Sequence, residues 1–199
     1  KDPQRFDCYG DLSCGKNVII DINVIIKGKV VIGNNCTIGA GCILDNVTLA
    51  DNVSIHPNSL LQKCHLAQGA SAGPFAYCRE NTKVGADGQV GCFVETKSTV
   101  IGKNSKAKHL SYLGNLVVGE HCNIGAGVIH CNYDGQNKHT SVIKNNCFIG
   151  ADSQIIGPVV VEENATVAAG ATVTKQVPQG SLAISRPPQA NVLNWKKKC

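Results

Sequence analysis

The 199-residue chain has no Met and a single Trp, and its aromatic residues make up only 5% of the whole. Large rings therefore cannot fill its core, and Val, Ile, Leu, Ala and Cys, plentiful along the full length, must do so. Translation starts at Met, so its absence leads us to expect a piece of a longer product, trimming of one initiator residue being the other reading. No stretch has the pattern of a secretory leader or an apolar run long enough for a bilayer, so a cytoplasmic setting without a membrane partner is expected. The formal charge is +5, and apart from the terminal WKKKC the basic residues are scattered. A nucleic-acid partner is not expected from that distribution; a phosphate-bearing small molecule is. The eleven cysteines are odd in number and form no CxxC pair, and no two of the six histidines have four residues between them. Neither disulfides nor a metal site is expected.

What the chain does have is a period. Ile143, Ile149, Ile155, Val161, Val167 and Val173 follow one another at steps of six, with Cys147, Ser153, Val159, Ala165, Ala171 and Val177 at the matching fifth places. Leu66, Ala72, Cys78, Val84 and Val90 form an earlier run, and Ile32, Ile38 and Leu44 another. A helix demands a period near 3.6 and a half-buried strand a period of two. A period of six fits short strands joined by sharp corners, one aliphatic residue per hexad pointing inward, with Gly and Asn supplying the corner angles. Three hexads close a triangular coil, and stacked coils make an all-β parallel β-helix. Likeness to hexapeptide-repeat proteins makes the expected hand left. Cys36, Cys42, Cys122 and Cys147 occupy fifth places and read as small buried apolar groups.

The rhythm slips by about a residue near 96–101 and again between 113 and 118, and HCNYDGQNKHTS at 130–141 reads as a polar loop insertion. Residues 1–177 are expected to form the β-helix, with 178–199 an irregular C-terminal arm in which Pro178, Pro187 and Pro188 prevent further pairing. In NSKAKHLSYLGN at 104–115 the inward places fall to Ala107 and Leu113, so His109 faces outward. Spacing alone favours an exposed histidine of no consequence there, although neutral imidazole is also the natural general base near neutral pH. Arg79, Lys97, Lys106, Lys108 and Lys138, with Asn123, Asn132, Tyr112 and Tyr133, form either a solvated surface or a cleft for a phosphorylated ligand.

GPFAYCRE, VGCFVETK, SKAKHLSYLGN, NIGAGVIHCNYDGQNKH, FIGADSQIIGPVVV and LAISRPPQ resemble, in order and spacing, the C-terminal half of the bacterial bifunctional N-acetylglucosamine-1-phosphate uridyltransferase/glucosamine-1-phosphate acetyltransferases. The resemblance covers nearly the whole chain. It implies acetyl transfer from acetyl-CoA to glucosamine 1-phosphate, a step towards UDP-N-acetylglucosamine for cell-wall synthesis, by a homotrimer with sites between subunits. The resemblance further leads us to expect that the N-terminal uridyltransferase half, to which the family's Mg2+ belongs, is not included in this chain. By resemblance His109 is the general base, and Glu95 orients the imidazole or the amine. Arg79, Lys97, Tyr112, Asn123 and Lys138 match positions that hold the sugar phosphate. Ala126, Asn132, Tyr133, Ala169 and Arg186 match positions around acetyl-CoA, as does Ala151, where the family usually has Ser. The competing readings are a hexapeptide acyltransferase with another acceptor and a catalytically silent trimerisation scaffold.

Overall fold

A computed structural model describes residues 2–193 and 195; Lys1, Asn194 and 196–199, including the lysines of the terminal basic run, lie outside the described residues. The chain winds into a left-handed parallel β-helix of about ten turns, almost without helix. Two- to four-residue strands dominate, and every strand pairing is parallel, residue i meeting a residue usually 17 or 18 further on.

The six-residue period becomes three inward columns. One runs Ile20, Ile38, Ile55, Ala72, Val90, Ala107, Ile124, Ile149, Val167. A second runs Leu49, Leu66, Val84, Ile101, Val118, Ile143, Val161. A third carries Ile26, Leu44, Leu61, Cys78, Thr96 and Leu113. All these residues but Ile20 and Thr96 belong to one continuous buried apolar core, against which Ile20 packs from its edge. Both phase slips are real: from Thr96 to Ile101 and from Leu113 to Val118 the inward step is five residues. Corners need left-handed backbone, and Asn17, Asn35 and Asn52 supply it in one stacked column, at φ 57°, 56° and 61°. Their amides bond from coil to coil, Asn17 to Asn35 at 3.0 Å and Asn35 to Asn52 at 3.3 Å.

The buried cysteines do more than fill space. The Sγ atoms of Cys36, Cys42, Cys122 and Cys147 lie 3.1, 3.1, 2.9 and 3.0 Å from backbone carbonyls of the next coil, at Ala50, His56, Lys144 and Glu162. Ser105 makes the same reach to Gly119 at 2.6 Å. The fifth place therefore takes a small donor that ties one coil to the next, and burial pushes the Cys42, Cys122 and Cys147 thiols up, keeping them protonated. All ten described cysteines are free. Cys147→Ser should therefore stay within about 1.5 kcal/mol of the parent. Ile149→Ala, which opens a cavity in a column, should cost about 2–5 kcal/mol. Denaturant unfolding of the two variants measures both, and equal losses would contradict the donor role.

Two expectations need adjustment. The insertion begins later than 130, because His130 is fully buried at an inward place, paired with Ile155 in the third column; the excursion proper is 132–140. Pairing also outlasts Val177, since Leu182–Ala183 pairs with Thr166–Val167. The last coil has a 16-residue offset, Val161 meeting Val177 and Val167 meeting Ala183, which breaks the hexad frame without ending the solenoid. Beyond Ala183 the described residues of the arm form no strand.

Candidate active site

At one edge of the prism the wall changes character. Elsewhere the corners interrupt the strands, but Gln89–Lys97 and Lys106–Gly114 run nine residues through this corner and merge two faces into one 18-stranded sheet. The corner residues on these strands are Cys92 and His109, which face each other in register. The amides of Gly127, Asp152 and Gly170 bond to the carbonyls of Leu110, Ala126 and Ala151, so the edge continues downward from His109 through Ala126 and Ala151 to Ala169. At its foot the Arg186 guanidinium donates to the Ala169 carbonyl. Four of the residues singled out from sequence thus stand on one edge in successive coils, and the side chain of a fifth, Arg186, reaches the last of them. At about 4.8 Å per coil, the three steps from His109 to Ala169 span roughly 14 Å.

His109 is exposed, and no side chain among the described residues holds its imidazole. Beside it opens a cleft of about 230 Å³ lined among others by His56, Pro74, Gly91, Cys92 and Lys108. Gly91 is obligatory there: a Cβ at this position would strike the backbone of Lys108. Next to His109 on the edge lies an apolar ladder of Phe75, Phe93 and Leu110, exposed to 48, 60 and 64%. The two rings stack at 5.3 Å, and all three residues hold positive φ, at 53°, 55° and 44°.

On the face beyond the corner, Tyr77, Glu95 and Tyr112 follow one another in register, with Arg79 and Lys97 two residues further along. Arg79 Nη1 donates to Glu95 Oε1 at 2.7 Å, and Lys97 Nζ lies 2.8 Å from Glu80 Oε1. Glu80, absent from the sequence reading, sits between the two cations, 3.8 Å from Arg79 Nε. The hydrogen bond from Lys97 lowers its carboxyl from the ordinary range. Arg79 stacks over the Tyr77 ring at 5.5 Å. Glu95 is thus held by Arg79 rather than by the imidazole. Asn123 lies on the face before the corner, paired with Lys106 and Phe148.

The excursion 132–140 folds on itself. Tyr133 bridges Lys138 in antiparallel fashion, and the Tyr133 hydroxyl donates to the Gly135 carbonyl at 2.6 Å. The Asp134 carboxylate accepts from the amides of Asn137 and Gln136, each at 2.7 Å, and from His139 Nε2 at 2.6 Å. Those bonds, the Asn137 amide first, hold its carboxyl far below the usual range. Asn132 is buried and donates to Asn115 Oδ1 at 2.7 Å. A Cβ on Gly114 would strike the Tyr112 hydroxyl and approach the Asn132 amide at 3.1 Å. Tyr112 and Asn132, expected on the two sides of the reaction, therefore converge over one glycine. Among the described residues no group of three or more His, Cys, Asp or Glu is placed to hold a metal ion, and no helix is long and apolar enough to cross a membrane.

The chain is similar to known proteins. The model of the GMPPB C-terminal domain matches residues 8–90, and that of the bacterial transferase hexapeptide (six repeats) matches 140–175. The bifunctional protein GlmU of Ruthia magnifica is 45% identical over 99% of this chain and 44% of its own length. The GlmU of Baumannia cicadellinicola is 48% identical over 98% of this chain and 42% of its own. The chain belongs to the GlmU family. It matches the C-terminal part of those proteins and spans less than half of their length. Two solved structures share the fold of this GlmU-type chain at low identity. LpxA of Bacteroides fragilis, a UDP-N-acetylglucosamine acyltransferase, is 16% identical at TM-score 0.66, covering 94% of this chain and 72% of its own. LpxA of Acinetobacter baumannii is 17% identical at 0.56, covering 88 and 70%.

Proposed function

We propose that the chain transfers the acetyl group of acetyl-CoA to the amine of glucosamine 1-phosphate, giving N-acetylglucosamine 1-phosphate and CoA. The observation that carries this reading is the edge from His109 to Arg186. Three alanines leave a smooth track from His109, roughly 14 Å to Ala169, and the Arg186 side chain extends it, so that an extended pantetheine arm can lie along it. The Arg186 guanidinium at its foot suits the phosphates of the coenzyme, as a planar cationic donor does. The thioester then lies at the His109 end. An ammonium has no lone pair with which to attack. The ammonium gives its first proton to solvent; His109 takes a second from the attacking nitrogen as the C–N bond forms, and the imidazolium returns that proton to the CoA sulfur as the C–S bond breaks. Ala151, in place of the family's usual Ser, forgoes one hydrogen bond to the coenzyme, worth about 0.5–1.5 kcal/mol.

Arg79 and Lys97 are the phosphate cations of this reading, joined by Tyr112, Asn123 and Lys138; Asn132 and Tyr133 face the coenzyme. Within one subunit Asn123 is on a different face from Arg79 and Lys97. A homotrimer with sites between subunits removes that separation, and the exposed ladder of Phe75, Phe93 and Leu110 beside His109 is the kind of apolar surface such an assembly covers. The proposed setting is the bacterial cytoplasm. Uridylyl transfer is assigned to the part of the relatives that this chain does not span.

Release of CoA from acetyl-CoA, followed with a thiol reagent, tests the acceptor. Glucosamine 1-phosphate should support it well and glucosamine 6-phosphate poorly, and no UDP-sugar should form. Equal rates with the two phosphates would favour a hexapeptide acyltransferase of other specificity.

A further inference from the structure

His130 stands where the third column requires an aliphatic residue, between Leu113 and Ile155, and it is completely buried. A polar ring there persists only if both nitrogens are satisfied. They are: Nδ1 lies 2.5 Å from the Gly114 carbonyl and Nε2 2.8 Å from Ser141 Oγ. A carbonyl can only accept, so Nδ1 carries the hydrogen and Nε2 accepts from the Ser141 hydroxyl. Ser141 Oγ in turn accepts from the Val159 amide at 3.1 Å. The chain of bonds is directional and complete for neutral imidazole, the form that burial favours by lowering the imidazole's pKa. Gly157 closes over the ring, since a Cβ there would come within 3.0 Å of Nε2 and 3.2 Å of Ser141 Oγ.

The partners of His130 matter more than its burial. Ser141 begins the strand by which the chain returns from the excursion 132–140, so the His130–Ser141 bond closes that loop at its base. Gly114 ends the strand that carries His109, and over it lie the Tyr112 hydroxyl and the Asn132 amide. One ring thus fixes the peptide on which the two sides of the site meet and the loop that brings Asn132, Tyr133 and Lys138 to it. We infer that His130 is a positioning residue for the reaction: it touches neither substrate and sets the Gly114 peptide and the loop base so that Tyr112 and Asn132 keep their places. This rests on the acetyltransferase reading.

Two variants test it. His130→Leu suits the apolar column but takes the donor from the Gly114 carbonyl and the acceptor from the Ser141 hydroxyl proton, whereas His130→Gln can donate to the first and accept from the second. Steady-state acetyl transfer and amide hydrogen exchange of residues 115 and 132–140 are measured on wild type and both variants, with melting curves as the control for folding. For His130→Leu, KM for both substrates should rise about tenfold, the worth of two lost hydrogen bonds, with kcat within about threefold. Exchange across 132–140 should quicken by a similar factor without ligand. His130→Gln should restore most of both. Wild-type kinetics and exchange in His130→Leu would overturn the inference. So would His130→Gln failing as badly as His130→Leu at a matched loss of melting temperature, which marks a purely structural residue. A wild-type chain that releases no CoA with glucosamine 1-phosphate overturns the acetyltransferase reading, and with it the inferred role in the reaction.

Discussion

His109→Ala is expected to reduce acetyl transfer about 10²–10⁴-fold, the usual contribution of a general base, while leaving the fold as it was. The second half of that expectation follows from where the residue stands. Ala107 and Leu113 carry the inward places of the rung and are fully buried, whereas His109 is exposed on the edge. Its loss opens no cavity and leaves no buried partner unpaired, so circular dichroism and melting temperature should match the parent. The deficit should lie in kcat rather than in KM for either substrate, because in the proposed reaction the imidazole acts when the amine loses its proton and not when the sugar or the coenzyme binds. Undiminished transfer by a correctly folded His109→Ala chain would assign the base elsewhere. If the parent also released no CoA above background, the silent scaffold would be the better account.

The parts of this architecture that repeat were legible in the sequence, and the parts that depend on how coils stack were not. Six-residue steps from Ile143 to Val173 predict inward positions on successive faces, and all six residues are buried. The five-residue steps at 96–101 and 113–118 were visible in the sequence, but two others, from Leu44 to Leu49 and from Leu61 to Leu66, were not, because the runs on either side of them read as separate. His130 hid for the opposite reason. It is polar and adjoins a polar run, and its burial and pairing with Ile155, with its bonds to Gly114 and Ser141, show that it belongs to the wall. The last coil hid behind a two-residue shortening that shifts the frame by which hexads are recognised. The edge from His109 to Arg186 has no constant spacing, since the excursion intervenes between Ala126 and Ala151, so no periodicity can assemble it; resemblance named its members and the stacking put them in line. Glu80 depends on side-chain direction alone. In the sequence it is one acidic residue beside Arg79, and only the fold brings Lys97 to its other oxygen.

That carboxylate decides how the proposed phosphate cluster should respond to substitution. Arg79 and Lys97 each face a carboxylate, Glu95 and Glu80, so the four charges cancel and an arriving phosphate must compete for both cations. Arg79→Ala removes a charge-assisted donor and should raise KM for glucosamine 1-phosphate roughly 10- to 100-fold, with KM for acetyl-CoA unchanged. Arg79→Lys should recover only part of this, because an ammonium lacks the guanidinium fork and its stacking on Tyr77. Glu80→Gln should act in the opposite direction. It frees Lys97 from its partner and leaves the cluster with a net positive charge, so KM for the phosphorylated acceptor should fall several-fold at low salt, an advantage that added salt erodes. A purely structural ion-pair cluster predicts something else, since both substitutions would then break pairs and weaken the chain without regard to the acceptor's charge. KM values for glucosamine 1-phosphate measured for Arg79→Ala and Glu80→Gln at two ionic strengths separate the cases. Opposite signs identify a phosphate site, and a shared loss of stability with unchanged KM would leave Arg79 and Lys97 as part of the wall.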